Sequence, residues 1–257
     1  MNLDTAPSSS SVSAPALARP RERPIFCCLD EAAAFASDRK TVLRRPLVTI
    51  AAAHSQQQRL VRLPGTTSAI YLDYKIQGLS WFPYSGSEIQ PWPADRLGEV
   101  CPFGGHGDKL WVRESWGIMH EHESTLSEHE QLADARQQMP WASVIYRATE
   151  TYHEPKRWRA PLSVPRWAAR MMLKIISVRL EHLHDITEDD AKAEGCSGWI
   201  PTHATTGLRG VRAGGLLRQV TSREHFQLLW DAVHRRRDLW STNPWVWRLE
   251  VQKVALR

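Results

Sequence analysis

Ser37-Asp38-Arg39-Lys40-Thr41-Val42-Leu43-Arg44-Arg45-Pro46 places four cations within seven residues, beside a hydroxyl and just ahead of an apolar run. More than a hundred residues later, Thr187-Glu188-Asp189-Asp190-Ala191-Lys192-Ala193-Glu194-Gly195 has the pattern of a short capped helix. Thr187 can accept from backbone N–H groups at its start, Asp190 stands at the third position as the capping-box acid, and Gly195 can close its end. This helix carries one carboxylate, Glu194, to its C-terminal side. A fold that brings Lys40, Thr41 and Glu194 together makes a polar pocket able to hold a nucleobase or to polarise an amide.

Working outward, residues 29–40 read as a short helix with Asp30 as its cap, and Ala32, Ala33, Ala34 and Phe35 suit it. That helix would deliver Arg39 and Lys40 to its C-terminal end, where cations complement the dipole. Strands are expected over 47–53, 68–74, 109–116, 142–149, 171–180 and 245–254. In the strand at 109–116, Leu110 and Val112 lie opposite Trp111 and Arg113. In the closing strand, Trp245, Trp247, Leu249 and Val251 share one face, while Arg248, Glu250 and Gln252 share the other. Pro165 opens a helical turn over 163–170. Ser222 is expected to cap an amphipathic helix in which Phe226, Leu229, Trp230 and Val233 recur at i, i+3, i+4 and i+7. Residues 1–23, rich in Ser, Ala and Pro, read as a disordered tail. Residues 24–257 read as a single domain with insertions near 77–106, 118–140 and 196–221. Several strands with few helices between them favour a barrel over a doubly wound sheet.

The chain has 257 residues, 42% of them apolar and 24% charged, enough for a core and typical of a soluble globular protein. No apolar run approaches the ~18 residues that span a bilayer, so no membrane partner is expected. The N-terminus lacks a basic start followed by an apolar block, which predicts no secretory leader and a cytoplasmic location. Cys27, Cys28, Cys101 and Cys196 show no paired ligand spacing and read as buried thiols in a reducing compartment. His120, His122 and His129 sit among Glu121, Glu123, Glu128 and Glu130 without a recognised ligand spacing. Neither a metal nor a cofactor is therefore expected.

A net charge of +5 permits a polyanionic partner without requiring one. The cations fall in three clusters: Arg39, Lys40, Arg44 and Arg45; Lys156, Arg157, Arg159, Arg166 and Arg170; and Arg235, Arg236 and Arg237. A single cluster is usually a solvated face. Several of them, interleaved with Trp158 and Trp167, point to RNA or single-stranded DNA.

The Arg39-Lys40-Thr41 run with its late Thr187-to-Glu194 partner resembles the ASCH family. Gly107-Asp108-Lys109-Leu110-Trp111-Val112-Arg113-Glu114-Ser115-Trp116, Pro165-Arg166-Trp167-Ala168-Ala169-Arg170 and Asn243-Pro244-Trp245-Val246-Trp247 are similar to stretches of the ASCH-like proteins encoded by tailed phages and prophages. The resemblance spans roughly residues 24 to 254. It implies an α+β fold: a PUA-like β-barrel with flanking helices and two or more loop insertions. The family includes nucleic-acid binders and amidohydrolases that act on N4-acetylcytidine. Carried over from the hydrolases, Lys40 is the catalytic lysine and Glu194 the acid or base. Leu43 stands where they have a nucleophilic threonine, and a leucine cannot attack a carbonyl. Asp38 stands where they have a glycine.

The expected function is therefore recognition of RNA, single-stranded DNA or a modified nucleoside in a basic cleft around Lys40 and Glu194. The contact residues expected are Arg39, Lys40, Thr41, Arg44, Arg45, Arg113, Glu114, Trp116, Arg166, Trp167 and Glu194, with Trp111, Trp116 or Tyr146 stacking on the base. The alternative is an amidohydrolase that deacylates N4-acetylcytidine-type substrates. The blandest reading is a surface Lys40–Glu194 pair, worth little, in a virion or host-interaction protein with an idle pocket.

Overall fold

The computed structural model of the chain describes residues 20–47, 50–51, 58–62, 69–73, 78–82, 90–91, 97–121, 125–201, 217–234 and 239–256. It is an α+β structure. Strand β1 (Glu22–Phe26), helix α1 (Leu29–Ala36) and strand β2 (Val42–Pro46) open it. Then follow β3 (Ile50–Ala51), β4 (Gln58–Arg62), β5 (Ala69–Asp73), β6 (Gly78–Phe82) and β7 (Gln90–Pro91), each paired antiparallel with the next. Helix α2 (Leu97–Val100), β8 (Lys109–Arg113), β9 (Trp116–His120), α3 (Glu128–Arg136) and β10 (Ala142–Tyr146) come next. The chain continues through β11 (Met172–His182), α4 (Glu188–Ala193), β12 (Trp199–Pro201), β13 (Leu217–Gln219), α5 (Ser222–Val233) and β14 (Trp245–Val254).

The main sheet has the order β1-β8-β11-β14-β2. Its spine is the long β11–β14 ladder, which runs from Met172 opposite Val254 to His182 opposite Trp245, with a register shift between Ile175 and Ser177. The alternation of β14 explains its place. Trp245, Trp247, Leu249 and Val251 are buried on one face, against Leu43, Ile175, Ile25 and the Phe35 of α1. Val246, on the other face, packs with Leu183, Ala191, Phe226 and Trp230, which brings α4 and α5 against the sheet. A third apolar cluster gathers Trp111, Trp116, Ile118, Ala142 and Met172 around the β9–β10 hairpin.

The ladders leave β1 and β2 as the two edges of an open order. A side chain ties those edges: the Arg45 guanidinium of β2 donates to the carbonyl of Phe26 at the end of β1, at 2.8 Å. A closed barrel, as the resemblance implies, is not formed by the ladders among the described residues. Among them, too, no helix is long and apolar enough to cross a membrane.

Several elements differ from expectation. Helix α1 ends at Ala36 rather than at 40, because Asp38 takes a left-handed φ of 57° and the N–H groups of Arg39 and Lys40 both turn back to the carbonyl of Ala34. Its N-cap is Cys28, and Asp30 sits in the first turn. Helix α5 is capped by Thr221, whose hydroxyl accepts from the Glu224 N–H, and Ser222 is its first residue. The strand expected at 109–116 is two strands, broken after Arg113. The strand β2 lies inside the basic motif itself; of the strand expected at 47–53, Ile50–Ala51 form β3, and residues 48–49 and 52–53 lie outside the described residues. The segments read as insertions hold β6, β7 and α2, then β9 and α3, then the β12–β13 hairpin. Strand β1 begins inside the segment read as tail. Residues 1–19, 122–124, 202–216 and the basic run 235–237 lie outside the described residues.

Trp247 is 1% exposed at the centre of the core. Trp247→Ala is expected to lower the unfolding free energy by about 3–5 kcal/mol. Leu162→Ala, at a side chain 70% exposed, should stay within ~0.5 kcal/mol of wild type. Urea denaturation with an unchanged m-value checks both.

Candidate functional site

A capped helix and one backbone hydrogen bond bring the paired motifs together. The Thr187 hydroxyl accepts from the Asp190 N–H at 3.1 Å and starts α4. Gly195 ends it at a φ of 92°, and Thr41 N–H donates to the carbonyl of Ala193 at 2.8 Å. A Cβ on Gly195 would lie 2.7 Å from the Cβ of Ala34 and 3.4 Å from that of Lys40. Only a residue without a side chain lets the end of α4 press this closely on α1 and on Lys40. Glu194, 154 residues from Lys40, is thereby carried to it.

The contacts form a buried charge network. Lys40 Nζ donates to the Glu194 carboxylate and, at 3.1 Å, to the Glu194 carbonyl, and lies 3.6 Å from Glu31 Oε1. Arg44 reaches the other Glu194 oxygen at 3.1 Å, Glu181 on β11 at 2.7 Å and Asp190 on α4 at 3.2 Å. Arg45 holds both oxygens of Glu31, at 2.8 and 3.1 Å. Arg248 on β14 pairs with Asp190 at 2.8 Å. The cations Lys40, Arg44, Arg45 and Arg248 thus meet an equal number of carboxylates, Glu31, Glu181, Asp190 and Glu194. Lys40, Arg44 and Glu194 are each 5% exposed or less.

Burial by itself would raise the Glu31 carboxyl, but the charges of Arg45 and Lys40 overcome it and hold the group at about 2. Burial opposes the charge on Lys40 in the same way, and Glu194 and Glu31 reverse it, so the ammonium is held above its ordinary value. Asp190 follows the pattern of Glu31: Arg248 and Arg44 outweigh burial and lower it. A lysine serving as general base would need the opposite shift to that of Lys40.

This network floors a cleft of about 230 Å³, just below the roughly 300–1,000 Å³ of drug-sized ligand sites. Phe226 and Trp230 of α5 line it with His225 beside them, and the half-exposed Trp199 of β12 lines it as well. Burial, and next the charge of Arg39, lowers the pKa of His225, and its Nδ1 is buried without a hydrogen-bond partner among the described residues. Arg39 is exposed at the rim. It donates to the Ser37 hydroxyl at 3.0 Å and to the Gly195 carbonyl at 2.9 Å, and among the described residues it forms no ion pair. Cys28 and Cys196 also line the cleft, and burial pushes both thiols up to about 12, so neither is a thiolate near neutral pH. Among the described residues, no group of three or more His, Cys, Asp or Glu could hold a metal ion.

Of the residues expected at the site, Arg39, Lys40, Arg44, Arg45 and Glu194 converge here. Thr41 is exposed, and it contributes backbone clamps to Ala193 and Val251. Arg113, Glu114, Trp116, Arg166 and Trp167 do not line the cleft. They surround the β9–β10 cluster, because β8 stands three places from β2 in the sheet order. There Glu114 is clamped by Arg170 at 2.8 and 2.9 Å, Arg166 pairs with Glu22 at 3.0 Å, and Arg113 lies over Trp111 at 4.7 Å. Trp116 is 1% exposed and meets the ring of Trp167 edge-on at 6.3 Å. Trp111, Trp116 and Tyr146 are therefore packing residues here, and Tyr146 donates to the Ala168 carbonyl at 2.6 Å. Leu43 is 0% exposed in the central core, so the position to which the resemblance assigns the nucleophile is buried and does not line the cleft. Glu31, Glu181 and Arg248 complete the network, yet in the sequence they look like ordinary helix and strand surface charges.

No family model, no curated protein and no solved structure matches the chain.

Removing one partner from a buried ion cluster leaves an uncompensated charge. Glu194→Ala is therefore expected to cost about 3–5 kcal/mol of stability. Leu43→Thr places a hydroxyl in the core and should cost about 1–3 kcal/mol; both are read from chemical denaturation. The folded-state pKa of Glu31 lies below its ordinary 4.5. Its stabilisation is therefore present above that value and lost as pH falls towards about 2, with a size on the order of 3 kcal/mol. The raised Lys40 contributes below its ordinary 10.5 and loses that contribution as pH rises through its folded value. Glu31→Gln should flatten the acid limb of stability against pH and, because Glu31 also helps to raise Lys40, shrink the alkaline limb while Glu194 keeps part of it in place.

Proposed function

We propose that the cleft binds a nucleobase, as a modified nucleoside or within RNA or single-stranded DNA, and reads its polar edge with Lys40 and Glu194. The observation that carries this reading is a charge-balanced, buried ion cluster opening onto an aromatic-walled cleft. Cations kept for a run of phosphates would stand unpaired on a surface, as counterion release requires. Here Lys40, Arg44 and Arg45 are already matched to carboxylates. Such a floor suits a neutral, planar, hydrogen-bonding ligand: Lys40 donates to a ring carbonyl while a Glu194 oxygen accepts from an exocyclic amine. The second basic cluster adds little to a phosphate track, since Arg159, Arg166 and Arg170 pair with Glu128, Glu22 and Glu114.

We propose with it a kinship to ASCH-related, PUA-like proteins of phage or prophage kind, supported by the paired Lys40 and Glu194 motifs and by the Arg45 side chain that ties the two edges of the sheet. The amidohydrolase alternative is weaker. Its nucleophile position is the buried Leu43, and Lys40 is held protonated rather than poised as a base.

Isothermal titration of the folded protein with N4-acetylcytidine, cytidine and short single-stranded RNA and DNA tests this. Saturable binding is expected, with a log-log salt slope shallower than about 2. Glu194→Gln should weaken it tenfold or more, the scale of a hydrogen bond to a charged group. No saturable binding to any of these ligands would sink the reading. Release of cytidine from N4-acetylcytidine, detected by mass spectrometry and lost in Glu194→Gln, would transfer the site to the hydrolase alternative.

A further inference from the structure

We infer that the cleft takes its ligand as a nucleotide unit, with the ring stacked on Trp199 and one phosphate on Arg39. This rests on the base-binding reading above and narrows it. Trp199 is 50% exposed, whereas Trp111, Trp116, Trp230, Trp245 and Trp247 are each 8% exposed or less. A large ring left half in water at the mouth of a cleft is an unfilled stacking face. Its exposure is not the result of a loose backbone. Trp199 pairs with Gln219 across the β12–β13 ladder, and the Val220 N–H donates to the Gly198 carbonyl at 2.8 Å. Gly198 holds a φ of 73°, and a Cβ there would lie 2.7 Å from the Val220 carbonyl oxygen, so the turn that aims Trp199 admits no side chain. The hairpin runs directly into α5, whose first N–H groups, on Ser222 and Arg223, donate to the Glu188 carboxylate of α4. The stacking face is therefore tied to both the wall and the floor of the cleft.

Arg39 supplies the second point. Among the cations lining the cleft, Lys40, Arg44 and Arg45 are ion-paired, and Arg39 forms no ion pair among the described residues. Its Nε and one terminal nitrogen are engaged by the neutral acceptors Ser37 and Gly195, which fix the plane of the guanidinium. The remaining terminal nitrogen suits a single phosphate oxygen, and the exposed Asp30 carboxylate, which also lines the cleft, acts on the same guanidinium through space. One cation outside the ion pairs offers one phosphate contact, which separates this site from a groove that tracks a backbone.

The test is isothermal titration of wild type, Trp199→Ala, Trp199→Phe and Arg39→Ala with inorganic phosphate, and with cytidine, uridine, adenosine, guanosine and N4-acetylcytidine, each as nucleoside and as 5′- and 3′-monophosphate. In wild type, at least one monophosphate is expected to bind tenfold or more tighter than its nucleoside. Arg39→Ala should bring that ratio to within about twofold of one. Trp199→Ala should weaken nucleoside and nucleotide alike, by about fivefold or more, and Trp199→Phe should recover most of the loss. Equal affinity for nucleoside and monophosphate, or full binding in Trp199→Ala, would overturn this inference and leave base binding standing. Inorganic phosphate binding as tightly as the nucleotides would reduce the site to an anion site and overturn it as well. No binding of any ligand to the folded wild type would remove both this inference and the base-binding reading beneath it.

Discussion

The cleft exists because of one buried cluster, in which Lys40 and Arg44 grip the two oxygens of Glu194. Taking these groups out of water is costly, and their mutual attraction recovers that cost only when every partner is in place. The partners come from five elements: Glu31 from α1, Arg44 and Arg45 from β2, Glu181 from β11, Asp190 from α4 and Arg248 from β14. The helix and strands must therefore be assembled before the charges can be buried. The cluster in turn holds α4 across the outer face of β2 and β14. Asp190 joins the two tasks, since its carboxylate accepts from the Thr187 N–H at the helix start and also receives Arg44 and Arg248.

A site built this way is rigid and nearly neutral, which shapes the chemistry open to it. Charges locked to one another do not reorganise when a ligand arrives, so the ligand meets donors and acceptors already aimed. The thiols nearby are held protonated by burial. On the base-binding proposal, the ligand is held by shape, stacking and a few directed hydrogen bonds.

Much of the framework was legible in the residues. The strict alternation of Trp245, Trp247, Leu249 and Val251 marked β14 with its observed bounds, and Thr187 with Gly195 marked α4. The Phe226, Leu229, Trp230 and Val233 spacing marked α5, although its cap is one residue earlier than expected. The Lys40–Glu194 pairing was legible only as a motif. The rest was hidden for physical reasons. Glu181 and Arg248 sit on outward strand faces, where a charge normally meets solvent, and only the docking of α4 buries them. In the sequence Trp116 and Tyr146 look like stacking groups, because a tryptophan or tyrosine in a basic segment serves equally as core or as platform. The sheet order, which cannot be read along the chain, decides between the two. Helix α1 ends early at Ala36, ahead of the left-handed Asp38, where no glycine announces the turn.

The closeness of α4 to α1 is set by Gly195, where the missing Cβ would collide with Ala34. The depth of the cleft floor is thus governed by a position that offers no functional group. Any side chain there would lift Glu194 off Lys40 and part the two halves of the charge cluster without altering a single polar atom in it. A survey of the cleft by chemistry alone would pass over the residue that calibrates its geometry.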